Sequence, residues 1–224
     1  MIARKKQKKT KKEQQKEKVK KAAKKDFPSE FGKEQIRSQN RILRNFLIGV
    51  GILIVAVFLV MFIFNSINNF EYKNVKFETI REGQLTLYRT DLPVIYQGQK
   101  TDYNFYLRND PREIKEIPFQ GNLNLADNLV INSTEDFNCQ GDGIIAIANL
   151  INLYKISGIN VLKDENATCD PDGRYMFVRL QSGNETNIEK FGPACYNINI
   201  NNCEILEGTE RFMIESFVEI NKLV

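Results

Sequence analysis

Residues 136–155, DFNCQGDGIIAIANLINLYK, place oxygen-bearing side chains directly before an apolar run. Carboxylate and amide oxygens are the ligands that calcium prefers in proteins. The candidate ligands are Asp136, Asn138, Gln140 and Asp142. The first three match the first, third and fifth positions of an EF-hand loop, but the twelfth, which should be a bidentate glutamate, is Ile147. The only cofactor that the sequence suggests is therefore calcium, at a site that lacks two oxygen ligands.

A second acidic loop, KDENATCDPDG, carries Asp164, Asp170 and Asp172. A disulfide between Cys139 and Cys169 would join this loop to the first one. Both loops would then contribute oxygens to one shared calcium ion. The calcium hypothesis therefore depends partly on how the cysteines pair.

Two other interpretations apply to the glycine-containing segment. A phosphate-binding loop needs a lysine after its last glycine, but Gly143 is followed by Ile144, and Asp142 would repel phosphate. The simpler interpretation is a turn. Asp142 then caps the following helix, and the two flanking glycines permit a tight turn that a disulfide holds.

All four cysteines follow the long apolar segment described below: Cys139, Cys169, Cys195 and Cys203. An even number of cysteines in a domain outside the cytoplasm predicts two disulfides. Three pairings are open. Short loops favour Cys195 with Cys203 and Cys139 with Cys169. The spacing contains no Cys-x-x-Cys, so a structural zinc site is not expected.

The sequence contains no histidine. This excludes Ser-His-Asp and Cys-His catalysis, and metal sites that depend on histidine. Carboxylate chemistry stays open, because residues 65–224 contain 23 Asp and Glu, from which a glycosidase-like pair could be drawn. No such pair stands out, so a carboxylate- or metal-dependent ectoenzyme is an alternative to a protein without catalytic activity.

Charge divides the chain. Residues 1–45 contain 17 Lys and Arg against 5 Asp and Glu, a net charge of +12, whereas residues 65–224 carry −8. Residues 46–64 between them, FLIGVGILIVAVFLVMFIF, contain no charged side chain. Nineteen helical residues would span about 28 Å, close to the hydrocarbon core of a bilayer. The sequence predicts a single transmembrane helix of the signal-anchor type between a disordered basic tail and a folded domain.

The flanking charges predict the orientation of this helix. Arg37, Arg41 and Arg44 precede it, and the next basic residue after it is Lys73. Basic residues stay on the cytoplasmic side. We therefore expect a single-pass protein of the cell membrane with its N-terminus in the cytoplasm and residues 65–224 outside.

Residues 65–224 are predicted to form a mixed α/β extracytoplasmic domain with antiparallel hairpins and one βαβ unit. Two hairpins are indicated, one from YKNVKFETI and GQLTLYRT and one around Gly98. The βαβ unit combines a strand at residues 128–132, a helix that is apolar on most sides, and a parallel strand at residues 158–162. We expect the sheet to cover most of that helix.

Three further elements are predicted near the C-terminus. RYMFVRL and CYNINI are expected to be strands, with NNCEIL as a hairpin partner. The final residues, TERFMIESFVEINKLV, predict an amphipathic helix. Its expected polar face consists of Arg211, Glu215, Glu219 and Lys222.

The expected partners follow from location and charge. A further alternative places the function in the basic cytoplasmic tail, which anionic lipid headgroups, RNA or a ribosome would attract. The acidic domain disfavours nucleic acid as an external ligand. The domain is expected to bind or assemble with a protein or glycan at the cell surface. Glycosylation sequons occur at Asn132, Asn166 and Asn184.

Overall fold

The computed structural model describes residues 31–96 and 99–223. Its first element is helix α1, Phe31–Asn68. The predicted basic tail lies outside the described residues as far as residue 30, and the turn predicted at Gly98 also lies outside them. Arg37, Arg41 and Arg44 all lie in α1, and the side chains of Arg41 and Arg44 are exposed.

Helix α1 contains a segment that is long and apolar enough to cross a membrane. This segment is Asn40–Asn68, which has 29 residues. None of the residues in its most apolar part is buried. As a helix it measures about 43 Å, which exceeds the thickness of a hydrocarbon core. The chain divides into two compact units between Phe62 and Ile63.

The first sheet is a four-stranded antiparallel meander in the order β1-β2-β3-β4. Its strands are β1 Asn69–Tyr72, β2 Val75–Glu82, β3 Leu85–Tyr96 and β4 Gln99–Leu107. The run YKNVKFETI forms not one strand but two strands and the turn between them. Lys73 and Asn74 adopt positive φ values of 47° and 68°, as the central residues of a two-residue hairpin turn do.

Strand β3 continues through Pro93, although the sequence suggested two separate strands there. The pairing with β2 ends at Arg89, so the second half of β3 pairs only with β4. Proline lacks a backbone N–H and is tolerated where one edge of the strand has no neighbour. The chain therefore passes from one predicted hairpin into the next without a break.

The second sheet is six-stranded, in the order β5-β9-β10-β8-β6-β7. Its strands are β5 Phe119–Gln120, β6 Asn128–Ser133, β7 Asn160–Leu162, β8 Met176–Ser182, β9 Asn187–Gly192 and β10 Cys195–Ile200. The accompanying helices are α2 Pro111–Ile114, α3 Asp142–Ile156 and α4 Ile205–Asn221. Strands β10, β8, β6 and β7 are parallel, and β9 is antiparallel to β10.

The structure confirms the βαβ unit, since β6 and β7 pair in parallel and α3 connects them. The predicted hairpin partner NNCEIL is wrong. The partner of β10 is β9, which precedes it, and residues 201–206 form a turn and the start of α4. Ile205 and Leu206 are buried as the first residues of this helix rather than as strand residues.

Helix α4 is confirmed as a helix, but its predicted polar face is wrong for Arg211 and Glu215, whereas Glu219 is half-buried and Lys222 is exposed. It packs against α2, α3 and strands of both sheets, so Arg211 and Glu215 are buried. These two side chains form an ion pair of 2.7 Å, and Lys73 Nζ lies 2.8 Å from the same carboxylate oxygen of Glu215. Burial opposes ionisation, but hydrogen bonds from Lys73 and Arg211 lower the pKa of Glu215.

Aromatic side chains of α4 connect the helix to both sheets. Phe217 contacts Phe77 and Phe105 of the antiparallel sheet, and its ring centroids lie 6.5 and 5.5 Å from theirs. Phe212 contacts Phe119 and Tyr196 of the mixed sheet at 6.1 and 5.4 Å. Such pairs add specific geometry to apolar burial. The core of the domain is therefore organised around α4.

Candidate functional site

The candidate site lies at the carboxyl edge of the parallel strands. Strand β6 leads through α3 to β7 on one side, whereas β8 leads to β9 and β10 on its other side. The connections therefore diverge between the neighbouring strands β6 and β8. In open α/β sheets, ligands bind in the crevice at such a switch point.

A disulfide crosses this edge. Cys139, in the loop after β6, pairs with Cys203, in the turn after β10, and their Cα atoms are 5.5 Å apart. Cys139 and Cys203 have positive φ values of 44° and 64°, which residues other than glycine seldom adopt. The bond thus joins two tight turns and fixes the loop that leads into α3.

The second disulfide joins Cys169 to Cys195, with Cα atoms 5.7 Å apart. The pairings expected from short loops are therefore wrong, although all four cysteines are bonded. Cys195 begins β10 and Cys203 lies in the turn beyond its last residue, Ile200, so the length of the strand, about 17 Å, separates Cys195 from that turn. A disulfide needs Cα atoms within about 7 Å.

The two glycines of the loop have different roles. Gly141 has a φ of 102°, which glycine adopts readily. A Cβ atom at Gly143 would lie 1.7 Å from the carbonyl oxygen of Phe137. The glycines therefore permit a turn and a close backbone contact, as the turn interpretation predicts in outline.

Asp142 was expected to cap α3, but it is the first helical residue and Gly141 occupies the cap position. Its carboxylate lies 3.7 Å from Arg108 Nη1 and near the positive end of the helix dipole. The side chain therefore stabilises the helix terminus by charge rather than by a capping hydrogen bond.

The candidate calcium ligands lie in the loop between β6 and α3 and at the first residue of α3. The part of the chain that the structure describes contains no group of three or more acidic or cysteine side chains that could hold a metal ion. The carbonyl of Asn138 accepts hydrogen bonds from the backbone nitrogens of Gly141 and Gly143, at 2.8 and 3.2 Å. In the second acidic loop, hydrogen bonds from Arg174 lower the pKa of Asp170. The disulfide that was expected to join the two loops is not formed, because Cys139 and Cys169 have other partners. The calcium site stays a prediction.

A groove of about 660 Å³ opens between α3 and the ends of β6 and β8. Helix α3 contributes a stripe of apolar side chains, Ile144, Ile147, Ala148 and Ile151. Phe137, Leu180 and Ile205 form the opposite wall, and Glu135 and Asp136 stand at the rim. This is within the size range of ligand pockets in proteins.

The stripe is only partly covered because α3 is apolar on two sides. Ala146, Leu150, Leu153 and Tyr154 of α3 are fully buried against the domain. Ile144, on the other side, is 70% exposed. We expected the sheet to cover most of α3, but the domain covers only one face. A row of isoleucines at helical spacing consequently faces the groove.

No family model, curated protein or solved structure matches this chain. The function is therefore argued from the chemistry of the groove and its surroundings.

The most buried acids of the domain have structural partners. Glu210 accepts hydrogen bonds from the backbone nitrogens of Arg108 and Asn109 at 2.7 and 2.8 Å. Glu215 is paired with Arg211 and Lys73, and Asp170 with Arg174. These contacts occupy the carboxylates that burial would otherwise mark as catalytic candidates. The ectoenzyme alternative stays a prediction.

The three sequons differ in accessibility. Asn166 and Asn184 are exposed residues of loops. Asn132 is half-buried within β6. Glycosylation needs an accessible, flexible segment, so the geometry favours the first two positions.

Sequence patterns overlooked several residues of the groove. The sequence predicts strands at Ile205 and Leu180 but no site at either residue, and it predicts no role for Glu135. Alternation along β8 and the apolar character of α3 were visible signals. Neither signal reveals that the ends of β6, β8 and α4 meet, because this depends on strand order.

Proposed function

We propose that this chain is a single-pass membrane protein whose disulfide-bonded domain lies outside the cell and binds a partner protein through the α3 groove. Support for membrane anchoring comes from the apolar segment Asn40–Asn68 and from the basic residues before it and in its first turns. The two disulfides are typical of oxidising compartments. Helix α1 ends at Asn68 and β1 begins at Asn69, so no linker separates the helix from the first strand.

The observation that carries the binding proposal is the apolar stripe of α3 along the groove, in which Ile144 and Ala148 are exposed and Ile147 and Ile151 are half-buried. Covering a large apolar side chain contributes about 1.5–3 kcal/mol relative to leaving it in water. Exposed apolar patches rimmed by polar residues are typical of interaction sites. The spacing of Ile144, Ile147 and Ile151 presents a ridge that suits a partner helix or an extended segment.

The charge of the groove indicates the kind of partner that would bind there. Glu135 and Asp136 line the groove, and none of the described residues that line it is Lys or Arg. We infer that the partner presents apolar side chains next to Lys or Arg. Two copies of this chain meeting groove to groove would place acid against acid, as would an anionic lipid surface. The basic N-terminal tail remains the segment that we propose to contact anionic lipid headgroups on the cytoplasmic side.

Orientation can be tested with the full chain in sealed cells. With an epitope tag at each end, external protease is expected to digest the C-terminal tag and to spare the N-terminal tag until the cells are opened. The reverse pattern would contradict the orientation. Protection of both tags would show that the domain does not face outside.

The groove can be tested by peptide display against the full chain in phosphatidylcholine nanodiscs, with empty nanodiscs for counter-selection. Enriched peptides are expected to combine apolar residues at helical spacing with Lys or Arg. Ile144→Asp should abolish their binding and preserve the fold, because Ile144 is exposed and a negative charge suits the start of a helix.

Leu85→Asp is the matched control, since Leu85 is 54% exposed in the other sheet. It should leave peptide binding unchanged. Enrichment of acidic peptides, binding that survives Ile144→Asp, or no enrichment above empty nanodiscs would each refute the groove as the binding surface.

A further inference from the structure

The outer face of the mixed sheet carries a polar patch whose described lining shares only Ser133 with the groove. Along β8, Met176, Val178 and Leu180 are buried in the main core. Successive residues of a strand point to opposite faces, so Arg179 and Gln181 lie on the outer face. An arginine at this position is directed away from the helices.

Arg179 occupies the middle of a row across the sheet. Its Cα partners are Asn132 on β6 and Asn197 on β10, and Asn197 is in turn paired with Glu189 on β9. Arg179 Nε donates a hydrogen bond of 3.0 Å to Asn197 Oδ1. This contact fixes the guanidinium and leaves its two terminal nitrogens for another acceptor.

The charge of Arg179 has no carboxylate partner. Across residues 40–95 and 99–223, no acidic oxygen forms an ion pair with it within 4.0 Å. Glu189 lies two strands away in the same row. Instead, the guanidinium carbon lies 5.1 Å from the ring centroid of Phe191, which is 41% exposed. This is a cation–π contact at the surface of the domain.

These two side chains border a pocket of about 450 Å³. The polar groups that line it are Asn132, Ser133, Thr134 and Thr168. The wall opposite the strands contains Ala167 and Cys169, whose disulfide to Cys195 holds the loop at the sheet. The hydroxyls of Ser133 and Thr134 donate to backbone carbonyl oxygens and can still accept hydrogen bonds. The pocket thus combines one guanidinium, one exposed aromatic ring, three hydroxyls and one amide.

We propose that this pocket binds a carboxylate-bearing sugar. A guanidinium presents paired N–H donors that match a carboxylate. The hydroxyl and amide groups match the hydroxyls of a sugar ring, and the exposed ring of Phe191 offers an apolar surface for its C–H face. A single positive charge, with Glu189 in the same row, favours a monoanion over a phosphate dianion. This inference does not depend on the α3 groove.

The test uses the full chain in phosphatidylcholine nanodiscs and a tetrasaccharide that alternates glucuronic acid with N-acetylglucosamine. Saturation-transfer NMR and titration should detect binding. Reduction of the carboxyl groups to alcohols should weaken binding by at least about tenfold, as loss of a charged hydrogen bond does. Arg179→Gln should have the same effect, and Arg179→Lys a smaller one because lysine lacks the planar fork.

Phe191→Ala tests the site without disturbing the core, since this ring is partly exposed. It should weaken the binding of the acidic tetrasaccharide. Lys155→Gln, an exposed change on α3, is the control and should have no effect. Equal binding of the reduced sugar, unchanged binding by Arg179→Gln and Phe191→Ala, or no binding at all would overturn the proposal. Equal binding of a glutamate-rich peptide would overturn the assignment to sugars.

Discussion

Glu210 Oε1 lies 2.7 Å from the backbone nitrogen of Arg108, which donates a hydrogen bond to it inside the domain. The other carboxylate oxygen accepts from the backbone and side-chain nitrogens of Asn109 at 2.8 and 3.0 Å. Burial raises the pKa of Glu210 to about 7, and these hydrogen bonds act against the rise. The side chain therefore fastens α4 to the segment that leads into α2.

The first prediction concerns pH. The pKa of Glu210 is raised from 4.5 to about 7, so the folded domain binds this proton more tightly than the unfolded chain. The resulting stability is complete below pH 4.5 and is lost as the pH rises through about 7. Up to about 3 kcal/mol of unfolding free energy is involved. Denaturant titrations between pH 4.5 and 8 should show this loss.

Glu210→Gln should remove that pH dependence while lowering stability overall, because an amide cannot accept all three hydrogen bonds. Glu165→Gln is the control, since Glu165 is exposed. If the unfolding free energy of Glu210→Gln falls between pH 4.5 and 8 as steeply as that of the unchanged chain, another group causes the pH dependence.

The second prediction concerns the buried cations and anions of α4. Glu215→Gln leaves Arg211, whose side chain is 6% exposed, without its counter-charge. Removing one partner of a buried ion pair costs about 3–5 kcal/mol. Lys73→Met should cost less than about 1 kcal/mol, because the side chain of Lys73 is half exposed. Chemical denaturation of both variants measures how much unfolding free energy each one loses. Equal losses would contradict the prediction.

The same residues show why one part of the fold could be read from the sequence and another could not. Apolar spacing predicted α4, because it needs only the helical period. The same spacing predicted that Arg211 and Glu215 face the solvent, because charged residues are usually exposed. Their burial depends on packing against distant elements, and one partner of Glu215, Lys73, is 142 residues away in the chain. No local pattern contains that information.

A similar limit applies to the groove. The segment with Gly141 and Gly143 was identified as a turn before a helix, and β6, α3 and β7 were predicted together. Strand β9 was not predicted, because NIEKFG lacks the apolar alternation of a typical strand. Without β9, the order of the sheet could not be derived. The sequence therefore could not predict that one groove is lined by Leu180, Ile205 and Ile144.

The third prediction concerns Gly143. Gly143→Ala would place a methyl group 1.7 Å from the carbonyl oxygen of Phe137, and backbone cannot yield as a side chain can. We expect a loss of more than about 3 kcal/mol and weaker peptide binding at the groove. Gly83→Asn is the control, because its Cβ meets nothing within 4 Å and asparagine tolerates the φ of 63°. Thermal unfolding of both variants is the measurement, and similar melting temperatures would contradict the close contact.

The fourth prediction concerns the disulfides of native material. Proteolysis without reduction, followed by mass spectrometry, should yield peptides that join Cys139 to Cys203 and Cys169 to Cys195. Strand β10 separates Cys195 from Cys203, so a peptide that joins these two would contradict the sheet itself. Cys139→Ala with Cys203→Ala should weaken peptide binding at the groove, since Cys139 lies in the loop that leads into α3. Cys169→Ala with Cys195→Ala should instead weaken binding of the acidic sugar, because Cys169 lines the outer pocket.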